Sequence, residues 1–182
     1  MSMPVVLTLG LLILPIIWFL TDPRPLHERL RQSLTLNGII VSVIEFILIY
    51  FNFNHPNTLI LNNIMNAAVV PIGIILYTVG SSIAIWAKIT MGKVWGMSAE
   101  HDLSRQNKLI SSGPFKHSRN PIYLGLTLTL LGYSLVFKSI FIILNILVIF
   151  YFYYDAKKEE KILEKYFGKA YLKYKSQVPL FL

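Results

Sequence analysis

Apolar residues in this chain come in long, clean runs, and the polar residues gather between them instead of alternating along amphipathic faces. Five apolar segments can be marked: Met3 to Leu20, Leu34 to Phe53, Ile64 to Ile89, Ile122 to Phe137 and Ser139 to Tyr154. A bilayer core needs about 20 helical residues, within a range of roughly 17 to 25. The first three segments meet that length. The last two are marginal, yet one continuous helix over residues 122–154 would be about 50 Å long, far too long for a single crossing. A tight helical hairpin near Lys138 and Ser139 is predicted instead, with Lys138 snorkelling to the far interface. The expected fold is an all-α integral membrane protein of about five transmembrane helices, the fourth and fifth forming the hairpin. The segment Met3 to Leu20 reads as a retained first span, because no basic residue precedes it and Trp18-Phe19-Leu20-Thr21-Asp22-Pro23 is not a small-residue cleavage site.

Composition agrees with this pattern: 54% of the residues are hydrophobic and only 14% are charged. The basic residues then set an orientation. They lie after the first segment (Arg24, Arg29, Arg31), after the third (Lys88, Lys93, Arg105, Lys108, Lys116, Arg119) and after the fifth (Lys157 through Lys175), whereas the connection from Asn54 to Asn63 has none. By the positive-inside rule these three regions are cytoplasmic, so the amino terminus is expected outside and the carboxyl terminus in the cytoplasm of a plasma or inner membrane. The net charge of +8 is therefore a juxtamembrane feature facing membrane lipids and no sign of a nucleic-acid partner. The absence of cysteine excludes a disulfide framework, a thiolate metal site and a cysteine nucleophile. His27, His55 and His101 have no metal-ligand spacing, and no metal is expected.

One domain, residues 1–182, is read, with two parts expected at the cytoplasmic face. The first is the loop from Met91 to Pro121, long enough to suggest a functional connection. The second is Asp155 to Gln177, where Ile162, Leu163, Tyr166, Phe167, Tyr171, Leu172 and Tyr174 recur near helical spacing among Lys and Glu. This predicts an amphipathic carboxyl-terminal helix, broken or bent at Gly168.

The densest chemistry lies at Gly113-Pro114-Phe115-Lys116-His117-Ser118-Arg119-Asn120-Pro121-Ile122-Tyr123-Leu124-Gly125. Read locally it is a helix start, with Asn120 as N-cap and Pro121 in the first turn. Such a start also presents backbone N–H groups to a carboxylate or phosphate. Glu159-Glu160 sits where the fifth segment leaves the membrane. A solvated face with i,i+4 pairs among Glu160, Glu164, Lys157 and Lys161 is the ordinary reading of such charges; the alternative is a binding role, in which only one of the two could readily face a pocket, because adjacent residues point about 100° apart on a helix. Glu45, midway along the second segment, must either face the bundle interior or be neutral. Trp18, Trp86 and Trp95, with Tyr151, Tyr153 and Tyr154, suit interfacial belts.

Ser112-Gly113-Pro114-Phe115, then Ser118-Arg119-Asn120-Pro121-Ile122-Tyr123-Leu124-Gly125, then Glu159-Glu160 followed by Leu163, Phe167-Gly168, Tyr171, Tyr174 and Val178-Pro179 resemble, in order and spacing, the core of the isoprenylcysteine carboxyl methyltransferase and phospholipid methyltransferase superfamily. The likeness covers roughly residues 91–180. It implies an integral membrane enzyme that binds S-adenosylmethionine on the cytoplasmic side and methylates a lipophilic acceptor entering from the bilayer. Carried over by position, cofactor contacts would come from Leu109, Ile110, Phe115, Asn120, Pro121, Tyr123, Glu159 and Glu160, and Arg119 would be the candidate catalytic residue, orienting an acceptor carboxylate. Asn120 stands where many members have His. Tyr153, Tyr154, Lys157 and Lys158 occupy the region in which eukaryotic members carry a substrate-binding Arg, so the acceptor is open among carboxylate, amine and thiol. For an amine or thiol, His117 or Glu45 becomes the candidate base. The competing readings are a nicotinamide-dependent membrane reductase and a non-catalytic scaffold or transporter.

Overall fold

The computed structural model describes residues 3–22, 24–34, 36–59, 63–94 and 109–181. Trp95, His101, Arg105 and Lys108, within the loop predicted over residues 91–121, lie outside the described residues. The described residues form α-helices α1 (Met3–Leu20), α2 (Leu26–Ser33), α3 (Leu36–Asn54), α4 (Asn63–Met91), α5 (Pro121–Val136), α6 (Leu144–Phe167) and α7 (Lys169–Gln177). Among them, Met3–Leu20, Ala67–Met91 and Ile140–Phe167 are long and apolar enough to cross a membrane, and α3 and α5 supply shorter apolar helices. Large apolar side chains such as Phe46, Ile75, Leu147 and Phe150 stand exposed on the outer helix faces, as lipid contact requires.

The α4–α5 pair is the spine of the bundle. Its close approach is set by facing glycines: a Cβ on Gly125 would come within 2.6 Å of the Gly80 carbonyl, and one on Gly132 within 2.4 Å of the Tyr77 amide. Water cannot drive helices together inside lipid, so small residues that admit backbone-to-backbone packing do it. Two tyrosines then tie α1 to this spine: Tyr77 Oη donates to the Leu7 carbonyl at 3.0 Å, and Tyr133 Oη lies 2.9 Å from Thr8 Oγ1. Lys88 closes the α1 carboxyl end, its Nζ donating to the Trp18 carbonyl at 2.7 Å and to Thr21 Oγ1 at 2.6 Å, where carbonyls left over by the helix concentrate negative charge. Beside it, Asp22 is buried, which by itself would raise its pKa, but hydrogen bonds from Arg24 hold the carboxyl below its ordinary value.

The turn between the two short apolar segments falls where expected. Lys138 adopts a left-handed conformation (φ 49°), Ser139 caps the 3₁₀ turn Ile140–Ile143, and α6 returns along α5. At this end the α3–α4 connection hydrogen-bonds to the turn, Asn57 N to Phe137 O and Leu59 N to Lys138 O, both at 2.8 Å.

Two features differ from the sequence expectation. The charged stretch from Asp155 is no separate helix: α6 runs without interruption from Leu144 to Phe167, because the Lys- and Glu-rich sequence after Tyr154 is strongly helix-forming and holds no breaker. The break comes at Gly168, whose φ of 52° ends α6 and turns the chain into α7. The first basic region also contains the short helix α2, whose Arg29 guanidinium donates to the Phe19 carbonyl at 2.8 Å.

Candidate active site

A cavity of about 240 Å³ opens between α1, α3, α5, α6 and α7. On α6 it is walled by Val148, Tyr151, Phe152, Asp155, Glu159, Ile162 and Leu163, a stripe at spacings of three and four that covers about 22 Å of helix. α5 contributes from Pro121 to Leu130, α1 from Leu11 to Trp18, and α3 through Val41, Ser42, Ile44 and Glu45. α7 covers the end nearest the basic loops with Tyr171 and Tyr174. α3 and α6 make little direct contact along their length.

The neck of the cavity is built by three strands of chain held together through backbone groups. The 3₁₀ turn Gly113–Lys116 buries Phe115, whose carbonyl accepts a 2.7 Å hydrogen bond from Tyr174 Oη. The chain after α7 lies against the start of α5, with Arg119 N donating to Pro179 O at 2.9 Å and Asn120 N to Leu180 O at 3.1 Å. Ser118, buried, adds a bond from its hydroxyl to Leu180 O at 3.1 Å. Burial raises the pKa values of both capping phenols, that of Tyr174 to about 12, so each is a neutral donor at pH 7.

Asn120 occupies the N-cap position of α5 and Pro121 the first turn, as the sequence predicts, but the Asn120 side chain makes no capping hydrogen bond. It lines the cavity instead. The two adjacent carboxylates separate as helix geometry requires. Glu159 faces the cavity, hydrogen-bonded to Tyr123 and close to the charge of Asp155. Glu160 turns off the cavity wall and is buried in an ion-pair cluster, with Arg119 Nη1 2.7 Å from Oε1, Lys157 Nζ 2.9 Å from Oε2 and Lys175 Nζ at 4.0 Å. The Arg119 contact is a charge contact without hydrogen-bond alignment, and Arg119 Nε is buried with no partner.

The structure thus brings Leu109, Ile110, Phe115, Arg119, Asn120, Pro121, Tyr123 and Glu159 to one cavity and sets Glu160 behind it as the counter-charge of Arg119. His117 is exposed and stands outside the cavity wall; His55 is exposed at the opposite end, stacked on Phe51. Among the described residues no metal-ligating cluster is present. Tyr151 and Trp18, expected in interfacial belts, line the cavity instead, and the buried Tyr151 Oη has no partner. Asp155, for which the sequence suggests no site role, lines it as well. The signal was available for two of these: Tyr151, Asp155 and Glu159 recur every four residues, which puts them on one helix face.

The order of these elements can now be set against known proteins. A family described as phospholipid methyltransferase matches residues 68–170, more than half of the chain. The chain belongs to this family. Neither the curated proteins nor the solved structures give a match. Membership in the superfamily of integral membrane methyltransferases implies methyltransferase activity, and the match spans most of α4, all of α5 and α6, and the Gly168 break. In this methyltransferase, α1 and α3 lie outside the matched region, yet they complete the cavity wall.

Proposed function

We propose that this methyltransferase takes its methyl group from S-adenosylmethionine, bound at the neck of the cavity, and passes it to a lipophilic acceptor that enters from the bilayer. The observation that carries the reading is the change of character along one continuous cavity. Its neck sets Glu159, Asn120 and the unpartnered Arg119 Nε among Phe115, Tyr171 and Tyr174, and its inner part is walled by apolar side chains of four helices. The neck groups fit the cofactor's chemistry. Glu159 suits an amino group or a ribose, Arg119 and Asn120 suit a carboxylate, and the apolar and aromatic lining with Leu109 and Ile110 suits adenine. Pro121 and Tyr123 shape the wall, Tyr123 by orienting Glu159.

When bound, the sulfonium supplies an electrophilic methyl group and a leaving sulfur. The protein's own task is then alignment and exclusion of water. Glu160 holds Arg119 in place, so Arg119 acts by binding and positioning. Tyr174 and the chain over residues 178–180 close the neck, and the acceptor enters the inner, apolar part from lipid. In this reading five helices cross the membrane, with the basic loops and α7 in the cytoplasm and the amino terminus outside, in a plasma or inner membrane.

Calorimetry on the detergent-purified protein tests the proposal. Binding of S-adenosylmethionine is expected, weakened in Glu159→Gln. Saturable binding of a reduced nicotinamide dinucleotide with none of S-adenosylmethionine would overturn it in favour of a reductase.

A further inference from the structure

The outer surface around the neck carries charge of one sign. Residues 109–181 hold four carboxylates, and the fold turns each of them inward or pairs it: Asp155 and Glu160 are buried, Glu159 faces the cavity, and Glu164 is paired with Lys175. Lysines of the same stretch stay outside, and Lys116, Lys161, Lys165, Lys169 and Lys173 are exposed. Two of them come together from separate elements. A shallow groove of about 410 Å³ runs between the 3₁₀ turn Gly113–Lys116 and α7, with Lys116 and Ser111 on one side, Lys173 and Gln177 on the other, and the apolar Leu109 and Val178 beside them. Among the described residues no carboxylate lines this groove, and neither lysine has an ion pair or a hydrogen bond. Lys157 and Lys175, by contrast, are committed to Glu160 and Glu164. Two cations facing one groove repel each other, a cost that an anion between them removes. Leu109 and Tyr174 line both the groove and the cavity, so the groove lies directly outside the neck.

We infer that this groove binds the phosphate of an anionic lipid headgroup between Lys116 and Lys173, and that the bound headgroup clamps α7 onto the turn Gly113–Lys116. Lysine meets phosphate as a point charge on a flexible stem, so the pair needs no fixed fork geometry. The position favours a lipid as the source. Lys116 lies five residues before Pro121, where α5 enters the bilayer in the five-span reading, and Leu172, next to Lys173, is an exposed apolar side chain. Lysines at this level are drawn to the anionic headgroups of the leaflet. A zwitterionic headgroup brings its own cation to a groove that already holds two, which makes it the weaker ligand. The clamp joins the same two segments as the 2.7 Å hydrogen bond from Tyr174 Oη to the Phe115 carbonyl, which closes the neck. Retention of the cofactor therefore follows the anionic lipid content of the membrane; this consequence, unlike the lipid site itself, rests on the methyltransferase reading.

The full chain in lipid nanodiscs tests both parts. Acetylation by an uncharged amine reagent, quantified peptide by peptide in mass spectrometry, reports each lysine without any cofactor. Replacing about one-third of the phosphatidylcholine by phosphatidylglycerol is expected to slow Lys116 and Lys173 at least threefold more than the exposed Lys161 and Lys165. Equal slowing of all four would be the surface potential of the leaflet alone and would overturn the site, as would no slowing. Inorganic phosphate added to phosphatidylcholine nanodiscs is expected to protect neither lysine; protection equal to that by phosphatidylglycerol would make the ligand a soluble phosphate and overturn the lipid assignment. Calorimetry reads the clamp. Phosphatidylglycerol should tighten S-adenosylmethionine binding at least threefold more in the wild type than in Lys116→Gln/Lys173→Gln, whose affinity in pure phosphatidylcholine stays within twofold of wild type. Lys116→Arg/Lys173→Arg should restore the lipid response. A gain of equal size in wild type and the glutamine variant, or a gain in neither, overturns the clamp. Selective protection of the two lysines in a wild type that binds no S-adenosylmethionine in either lipid would instead remove the methyltransferase reading and leave the lipid site standing.

Discussion

At the scale of single residues, the Glu159-Glu160 pair shows how one helical step divides two jobs. Glu159 faces the cavity and Glu160 faces Arg119, so the same substitution at the two positions should fail in different ways. Glu159→Gln replaces a carboxyl oxygen in the neck by an amide and leaves the packing alone. A charge-assisted hydrogen bond contributes about 1.5–3 kcal/mol, so S-adenosylmethionine affinity should fall roughly 10- to 100-fold in calorimetry with an unchanged melting temperature. Glu160→Gln strands the buried Arg119, whose side chain is 8% exposed. Breaking one partner of a buried pair costs about 3–5 kcal/mol, so here the melting temperature in detergent should drop clearly. Arg119→Ala should lower cofactor affinity and stability together, because its guanidinium serves both the cavity and Glu160.

Among the elements, the α4–α5 contact leaves no room for side chains where its glycines meet. A leucine at Gly125 would press on the Gly80 carbonyl and on Ala84, forcing the helices apart at the level where α5 begins to line the cavity. Overpacking of this kind costs about 1–3 kcal/mol. Gly125→Leu should therefore reduce the yield of folded protein, measured by size-exclusion profile, more than an equal change at lipid-facing Ile75. Gly168 constrains differently. Its surroundings are open, but its φ of 52° is costly for any residue with a Cβ, so Gly168→Val should weaken the turn that folds α7 over the neck and reduce cofactor binding while the span helices stay intact.

For the molecule as a whole, the chain after α7 ties together the segments that form the neck of the cavity. Pro179 and Leu180 accept hydrogen bonds from Arg119 and Asn120, next to Tyr174 on Phe115. Ending the chain at Gln177 should leave membrane insertion unchanged but abolish S-adenosylmethionine binding in calorimetry, since the neck loses the acceptors that fix the start of α5. The five-span reading has its own test. The chain has no cysteine, so single cysteines report the side of the membrane directly. Asn57→Cys should label from outside, and Lys116→Cys and Ser176→Cys only after the membrane is opened; labelling of all three from one side would remove the proposed topology.

What the sequence by itself determined follows from local physics. Long apolar runs specify lipid-facing helices, because each backbone polar group must be satisfied within its own helix once water is gone. The hairpin at Lys138 and the break at Gly168 were legible because they depend on segment length and backbone freedom. The family motif around Asn120 and the Glu pair was legible because its residues are contiguous or one turn apart. Where α6 ends was less so: composition changes at Asp155, but helix formation does not depend on that change, and α6 runs on to Phe167. The tertiary structure alone decided which side of each helix faces the cavity. It put Glu159 inside and Glu160 behind Arg119, drew Trp18 and Tyr151 into the cavity wall, and brought Glu45 from a separate helix to the inner end. Those assignments depend on how helices distant in sequence pack, through the glycine contacts of α4 and α5 and the tyrosine ties to α1, and no local pattern encodes the rotation that such packing imposes.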